Sequence, residues 1–139
     1  MDAEKWLKRL LQIIGWLMAT AVFAVFLPHD AMGAIHERLG LGNFPEGKIV
    51  DYLARSTSAF YAMIGVLYII LAHDLRVYAA IITFIAWANI AFGILLTATG
   101  WQLAFPLWWT LGEGPLIIVM GFAILWLQKK MPTAEATDR

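Results

Sequence analysis

The stretch Asp51-Tyr-Leu-Ala-Arg-Ser-Thr-Ser-Ala-Phe-Tyr-Ala-Met-Ile-Gly-Val-Leu-Tyr-Ile69 decides how this chain folds, because it is an apolar helix with two opposite charges near its start. At about 100° per residue, one narrow face collects side chains that are charged at one end and mostly small elsewhere. They are Asp51, Arg55, Ser58, Ala62, Gly65 and Ile69. Helices in lipid approach one another through such stripes and hide ionisable groups there, so this face is predicted to point into the protein.

The composition indicates an integral membrane protein. Of the 139 residues, 61% are hydrophobic and 14% are charged, whereas soluble proteins carry about 25% charged residues. A formal net charge of zero argues against a nucleic-acid partner, which needs a basic surface. The absence of cysteine excludes disulfides, thiolate metal sites and iron–sulfur clusters. The three histidines lie outside the apolar runs, which argues against a bis-histidine haem, and no cofactor is predicted.

Four apolar runs predict four membrane-spanning helices, since about 20 residues cross a ~30 Å hydrocarbon core. The predicted spans are about 8–27, 49–72, 77–99 and 113–128, all within a single domain, 1–139. Pro28 ends the first span because proline cannot continue the helix. Residues 100–112 are predicted to form an aromatic loop, and the polar tail 129–139 is expected to be disordered.

Between the first two spans, residues 28–39 predict a short amphipathic helix that lies along the membrane surface. Met32, Ile35 and Leu39 share its apolar face, and Gly40 and Gly42 end it. The predicted fold class is therefore all-α: a four-helix transmembrane bundle with a short amphipathic helix in the first outer loop.

The basic residues predict which ends of the spans face the cytoplasm. One side carries Lys5, Lys8, Arg9, Arg76, Lys129, Lys130 and Arg139, and the other carries Arg38, Lys48 and Arg55. The positive-inside rule then places both termini in the cytoplasm. The tryptophans fit this orientation as interface residues: Trp101, Trp108 and Trp109 on the outer side, Trp6 and Trp126 on the inner side.

Arg55 gives the strongest indication of a site, because it lies about a turn and a half into the second span, where an unpaired charge costs at least ~2–3 kcal/mol. Asp51 precedes it by four residues, and Glu113 opens the fourth span at the same depth, so both are predicted ion-pair partners. Ser58 adds a hydroxyl to this polar cluster. Two interpretations remain open: a structural clamp between the second and fourth helices, and an outward-facing pocket that binds a small molecule or moves a proton.

Glu113 also has a purely structural interpretation. Thr110-Leu-Gly-Glu113 matches a capping box, in which the glutamate bonds back to the cap backbone, whereas Pro115 favours Gly114 as the cap. In either case Glu113 lies beside a positive helix end, which stabilises its ionised form. No catalytic residue is predicted.

The remaining candidates carry weaker signals. Tyr61, Asn89 and Trp109 are possible accessory residues of the polar site, with packing as the alternative role for Tyr61 and Asn89. His29 and His36 suit copper or zinc chemically. They lie about 10 Å apart along the helix axis, so one ion cannot join them without further ligands. We therefore interpret them as interfacial histidines that flank the apolar face.

Three segments carry a resemblance to a known group. They are Ile35-His-Glu-Arg-Leu-Gly-Leu-Gly42, Val50-Asp-Tyr-Leu-Ala-Arg-Ser56 and Trp108-Trp-Thr-Leu-Gly-Glu-Gly-Pro115. With them the chain resembles a group of small uncharacterised bacterial four-span membrane proteins, and its general architecture is similar to that of the DoxX-like four-helix proteins. The resemblance implies a location in the bacterial inner membrane and an outer-side charge framework common to the group.

Three functional hypotheses follow from the sequence. The first is a small accessory or binding protein, with membrane lipid as a partner and a polar site at the outer leaflet, alone or within a larger complex. The second is an oligomeric transporter or channel subunit, in which the charged face lines a pore between copies. The third is a membrane enzyme that acts on a lipid or quinone, which the shortage of catalytic groups disfavours.

Overall fold

The computed structural model describes residues 2–131, and this part of the chain is all-α, with no strand. Its helices are α1 (Ala3–Ala19), α2 (Val22–Val25), α3 (His29–Arg38), α4 (Lys48–Leu71), α5 (Ala79–Gln102) and α6 (Leu107–Lys129). Four segments are long and apolar enough to cross a membrane: Ala3–Val25, Lys48–Leu71, Ala79–Gln102 and Leu107–Lys129. The all-α class with four spans is confirmed, and the short helix between the first two spans is α3. The tail predicted to be disordered lies outside the described residues from position 132 onward.

The first span is not continuous, which the sequence did not predict. Residues 20–21 form a turn between α1 and α2. Through this region the backbone uses tighter i to i+3 hydrogen bonds, for example from Ala21 N–H to Met18 O at 3.0 Å and from Ala24 N–H to Ala21 O at 3.0 Å. The Thr20 hydroxyl donates to Leu17 O at 2.6 Å, a side-chain contact that competes with regular helix geometry.

The described chain divides into two compact units, residues 12–70 and residues 2–11 with 71–131. In the first unit, α1 and α4 approach through two glycines. A Cβ added to Gly65 would lie 2.6 Å from Gly15 O, and one added to Gly15 would lie 2.8 Å from Gly65 O, so neither position has room for a side chain. Gly65 belongs to the stripe of small residues found in the sequence, and the stripe makes this helix contact.

In the second unit, α5 and α6 pack by the same principle. A Cβ on Gly93 would lie 2.6 Å from Gly114 O, and one on Gly121 would lie 2.7 Å from Ala86 O. At one end of the pair, the Gln128 side chain donates to Ala79 O at 2.7 Å. Small residues let the backbones meet, and the glutamine amide fixes their register.

The fourth span begins six residues earlier than predicted. Helix α6 starts at Leu107 with Pro106 at its N-cap, so the connection from α5 is only residues 103–106 rather than a loop over 100–112. Pro115 lies inside α6, as is tolerated in membrane helices where neighbouring groups satisfy the freed carbonyl. The capping roles predicted for Thr110 and Gly114 are therefore wrong, and Glu113 is the seventh residue of the helix instead of its first.

Candidate functional site: the junction at Pro28

The site centres on the guanidinium of Arg55, which is partly buried and donates hydrogen bonds to two backbone carbonyls. One is Val25 O, and the other is Leu27 O at 2.8 Å. A guanidinium carries five N–H donors in a rigid plane, so it can hold two acceptors at once. Arg55 of α4 therefore binds the chain where the first span ends.

The carbonyls are available because of Pro28. The backbone turns to an extended conformation there (φ −61°, ψ 152°), so the amides that follow no longer point back at the carbonyls of residues 25–27. A helix end also carries partial negative charge, which a cation stabilises. Arg55 supplies both the hydrogen bonds and the positive charge, and so acts as a C-terminal cap donated by another helix.

Asp51, one turn before Arg55, binds the other side of the same junction. The Nδ1–H of His29, the first residue of α3, donates to Asp51 Oδ1 at 2.6 Å, and each side chain is 33% exposed. The hydrogen bond to Asp51 raises the pKa of His29 and outweighs the opposing effect of burial, and the negative charges of Asp51, Asp30 and Glu46 add to the increase. The protonated form of His29 is thus favoured by its surroundings.

The segment after α3 folds back onto that helix through Phe44. Its ring centroid lies 5.2 Å from that of His29 and 5.4 Å from that of His36. The Nδ1–H of His36 donates to Gly42 O at 2.8 Å. Helix α3 ends as predicted: Gly40 adopts φ +69°, and Leu41 N–H bonds to His36 O in a Schellman pattern. The two histidines thus pack around one aromatic ring, in addition to their hydrogen bonds to Asp51 and Gly42.

These contacts correct the prediction for Arg55. Within residues 2–131 no ion pair joins Arg55 to Asp51, although the two side chains extend from the same face of α4. Asp51 pairs with His29. Arg55 binds backbone carbonyls, which are present whatever side chain the residue carries. Both residues hold the Pro28 junction, so Arg55 ties α4 to the end of the first span, whereas the predicted clamp joined the second and fourth membrane helices through acids.

The other candidate residues lie on other turns of α4 or on the helices of the second unit. Ser58 and Tyr61 lie further along α4 and are partly buried, and Asn89 is partly buried in α5; Tyr61 and Asn89 each make a polar or ring interaction. Trp109 and Glu113 belong to α6, and no ion pair or side-chain hydrogen bond of Glu113 occurs in the described part of the chain. No group of three or more potential metal ligands occurs among residues 2–131, so a metal site at His29 and His36 gains no support.

Sequence reasoning missed an apolar groove that lies beside the turn in the first span. It has a volume of about 420 Å³, and Trp16, Phe23, Met63 and Val66 are among its lining residues. The other lining residues are Ala19, Thr20, Val22 and Ala62. Thr20 was the available signal, because a threonine that bonds its own backbone bends or interrupts a helix. The groove is one turn from Val25, where Arg55 holds the chain.

Together these features define a multi-pass α-helical membrane protein. In its first unit, Arg55 hydrogen-bonds to the backbone, and Asp51 pairs with His29. The chain matches no protein-family model, no curated protein and no solved structure.

Proposed function

We propose that this is a small, non-enzymatic protein of the bacterial inner membrane that binds the acyl chain of a membrane lipid in the groove of its first unit. The observation that carries the proposal is the pairing of that groove with the Arg55 cap next to it. The groove is lined by apolar side chains within two candidate spans, where its natural occupant is hydrocarbon.

The clamp supports this function because it gives the groove a fixed wall. Residues 22–25 form a single helical turn between two breaks, at residues 20–21 and at Pro28, and so short a helix is not stable by itself. Arg55 bonds to the last residue of that turn and to Leu27 beyond it. Val22 and Phe23, which line the groove together with Met63 and Val66, are therefore held in a defined position.

The same contacts favour a binding protein over a channel subunit. A pore between copies needs Asp51 and Arg55 to point away from their own chain. Here Asp51 binds His29 and Arg55 binds two carbonyls of the first span, so neither is left for a pore lining.

We also propose that both termini face the cytoplasm. In the second unit, Arg76 pairs with Glu4 at 3.5 Å, and Gln128 bonds to Ala79, so the N-terminal segment, the 72–78 connection and the end of α6 share one end of that unit. This end carries Lys5, Lys8, Arg9, Arg76, Lys129 and Lys130. Basic residues concentrated at one end of the spans support a cytoplasmic location for it.

Native mass spectrometry in mild detergent tests the proposed binding. The wild-type monomer is expected to retain one lipid, and Val66→Trp, which fills the groove, is expected to lose it. Ile70→Trp adds the same ring one turn further along α4, outside the groove lining, and should retain the lipid. Equal retention by both variants, or a lipid-free oligomer in the wild type, would contradict the proposal and favour the channel.

A further inference from the structure

Glu113 is an ionisable residue that lies within a candidate membrane span. It lies six residues, about 9 Å, past the start of α6 within a candidate span, and it is partly buried. Ionisable groups at such depth pair with one another or with a ligand. In residues 2–131 Glu113 makes no ion pair and no side-chain hydrogen bond. Its carboxyl group is therefore available to a partner from outside the chain.

The surroundings of Glu113 suit one kind of cation. Trp108 and Trp109 form a T-shaped aromatic pair, with ring centroids 5.4 Å apart and ring planes at 78° to each other. Both tryptophans line a groove of about 210 Å³ together with Gly112 and Glu113, and its surface is apolar, so the Glu113 carboxylate lies beside the groove rather than in its lining. Tryptophan is the strongest cation–π partner among the side chains, and indole rings with an acid are the usual surroundings of alkylammonium groups. No metal is indicated here, because the described residues contain no cluster of three ligands.

The size and position of the groove indicate where the ammonium comes from. A volume of about 210 Å³ is half that of the groove in the first unit, too small for a long acyl chain but sufficient for a headgroup amine. Gly112 has no side chain to fill the groove, and a Cβ at this position would meet nothing within 4 Å. The groove lies in the first turns of a span, the depth at which tryptophan rings contact lipid headgroups.

We propose that Glu113, Trp108 and Trp109 form a second binding site, which recognises the ammonium headgroup of a zwitterionic membrane lipid such as phosphatidylethanolamine. The carboxylate accepts hydrogen bonds from the ammonium, and the indole rings stabilise its charge. The site lies in the second unit and selects a headgroup, so it is independent of acyl-chain binding at Trp16.

The test uses ¹⁹F NMR of the full chain labelled with 5-fluorotryptophan. The protein is placed in a series of phosphatidylglycerol nanodiscs that contain an increasing fraction of phosphatidylethanolamine with the same acyl chains. Single Trp→Phe variants assign the resonances. Those of Trp108 and Trp109 should shift saturably, while Trp126, at the far end of α6, should follow only the bulk composition. The half-saturation point should rise at least about fivefold in Glu113→Gln. Glu37→Gln, which removes an exposed acid of α3, should leave it unchanged.

A second variant keeps the outcome decisive if Glu113→Gln perturbs folding. Gly112→Leu adds a side chain to the groove at a position where the Cβ meets nothing within 4 Å, and it retains Glu113, so it should abolish the saturable shift. Shifts of Trp108 and Trp109 that stay linear in the wild type, or a half-saturation point that is the same in both variants as in the wild type, would overturn the proposal. Trp16 lines the groove of the first unit, so its resonance reports that site separately.

Discussion

Arg55 shows how a charge within a membrane span can be stabilised without an acid. If an apolar side chain replaces Arg55, the carbonyls of Val25 and Leu27 lose their hydrogen-bond donor. Carbonyls without a donor in a lipid environment destabilise the folded protein. We expect Arg55→Met to lower the free energy of unfolding by about 1.5–3 kcal/mol, the range for hydrogen bonds to charged groups. Arg55→Lys should lose about half of that, because an ammonium cannot hold two carbonyls in one plane.

Reversible unfolding in mixed micelles, followed by circular dichroism, measures these changes. Lys48→Met removes an exposed cation from the first turn of the same helix and should change stability by less than about 0.5 kcal/mol. If Arg55→Met changed the free energy of unfolding as little as Lys48→Met does, the hydrogen bonds from Arg55 would contribute nothing to stability.

The pair of His29 and Asp51 predicts a pH dependence of known sign. The pKa of His29 is raised in the folded protein by the Asp51 hydrogen bond, so the folded state binds the proton more tightly than the unfolded state does. The stabilisation is complete below the unfolded pKa of about 6.5. It is lost as the pH rises through the higher, folded-state pKa. We therefore expect the protein to become less stable from pH 6 to pH 8.

Thermal unfolding of three proteins across this range checks the assignment. His29→Gln should remove the pH dependence, whereas His36→Gln should keep it, because His36 bonds to the carbonyl of Gly42 and to no acid. A pH dependence that survived in His29→Gln would place its origin elsewhere.

At the scale of elements, α5 and α6 depend on glycines that are not equivalent. Gly114 and Gly112 lie two residues apart in α6, yet a Cβ at Gly114 would lie 2.6 Å from Gly93 O, and one at Gly112 would meet nothing within 4 Å. Gly114→Ala should therefore destabilise the protein by about 1–3 kcal/mol through overpacking. Gly112→Ala should be neutral or stabilising by up to about 1 kcal/mol, because alanine favours the helix. The same micelle unfolding assay measures both, and equal effects would show that the helices do not meet at Gly114.

The elements also show which features a sequence can reveal. The four spans, the helix ending at Gly40 and the stripe through Gly65 were predictable, because hydropathy, periodicity and glycine chemistry are local signals. The start of α6 was not, because Gly112, Gly114 and Pro115 read as helix breakers in water but are tolerated in a membrane helix.

The hydrogen-bond partners of Arg55 could not be predicted from the sequence, for a different reason. Sequence reasoning looks for an acidic side chain, and Asp51 stood at the correct spacing. The acceptors are backbone carbonyls, which every residue has, and only the change of direction at Pro28 makes those of Val25 and Leu27 available. Pro28 indicates in the sequence where the first span ends, but it does not indicate which residue donates hydrogen bonds to that end.

At the scale of the whole molecule, the proposed orientation is testable with little background, because the chain contains no cysteine. With both termini in the cytoplasm, the α3–α4 connection faces the outside and the 72–78 connection faces the inside. We expect Asn43→Cys to react with a membrane-impermeant maleimide in intact cells, and His73→Cys and Lys130→Cys to react only after lysis. All three positions are exposed, so differences in labelling report sidedness rather than burial. Labelling of His73→Cys in intact cells, with Asn43→Cys protected, would reverse the orientation and place the basic end of the second unit outside.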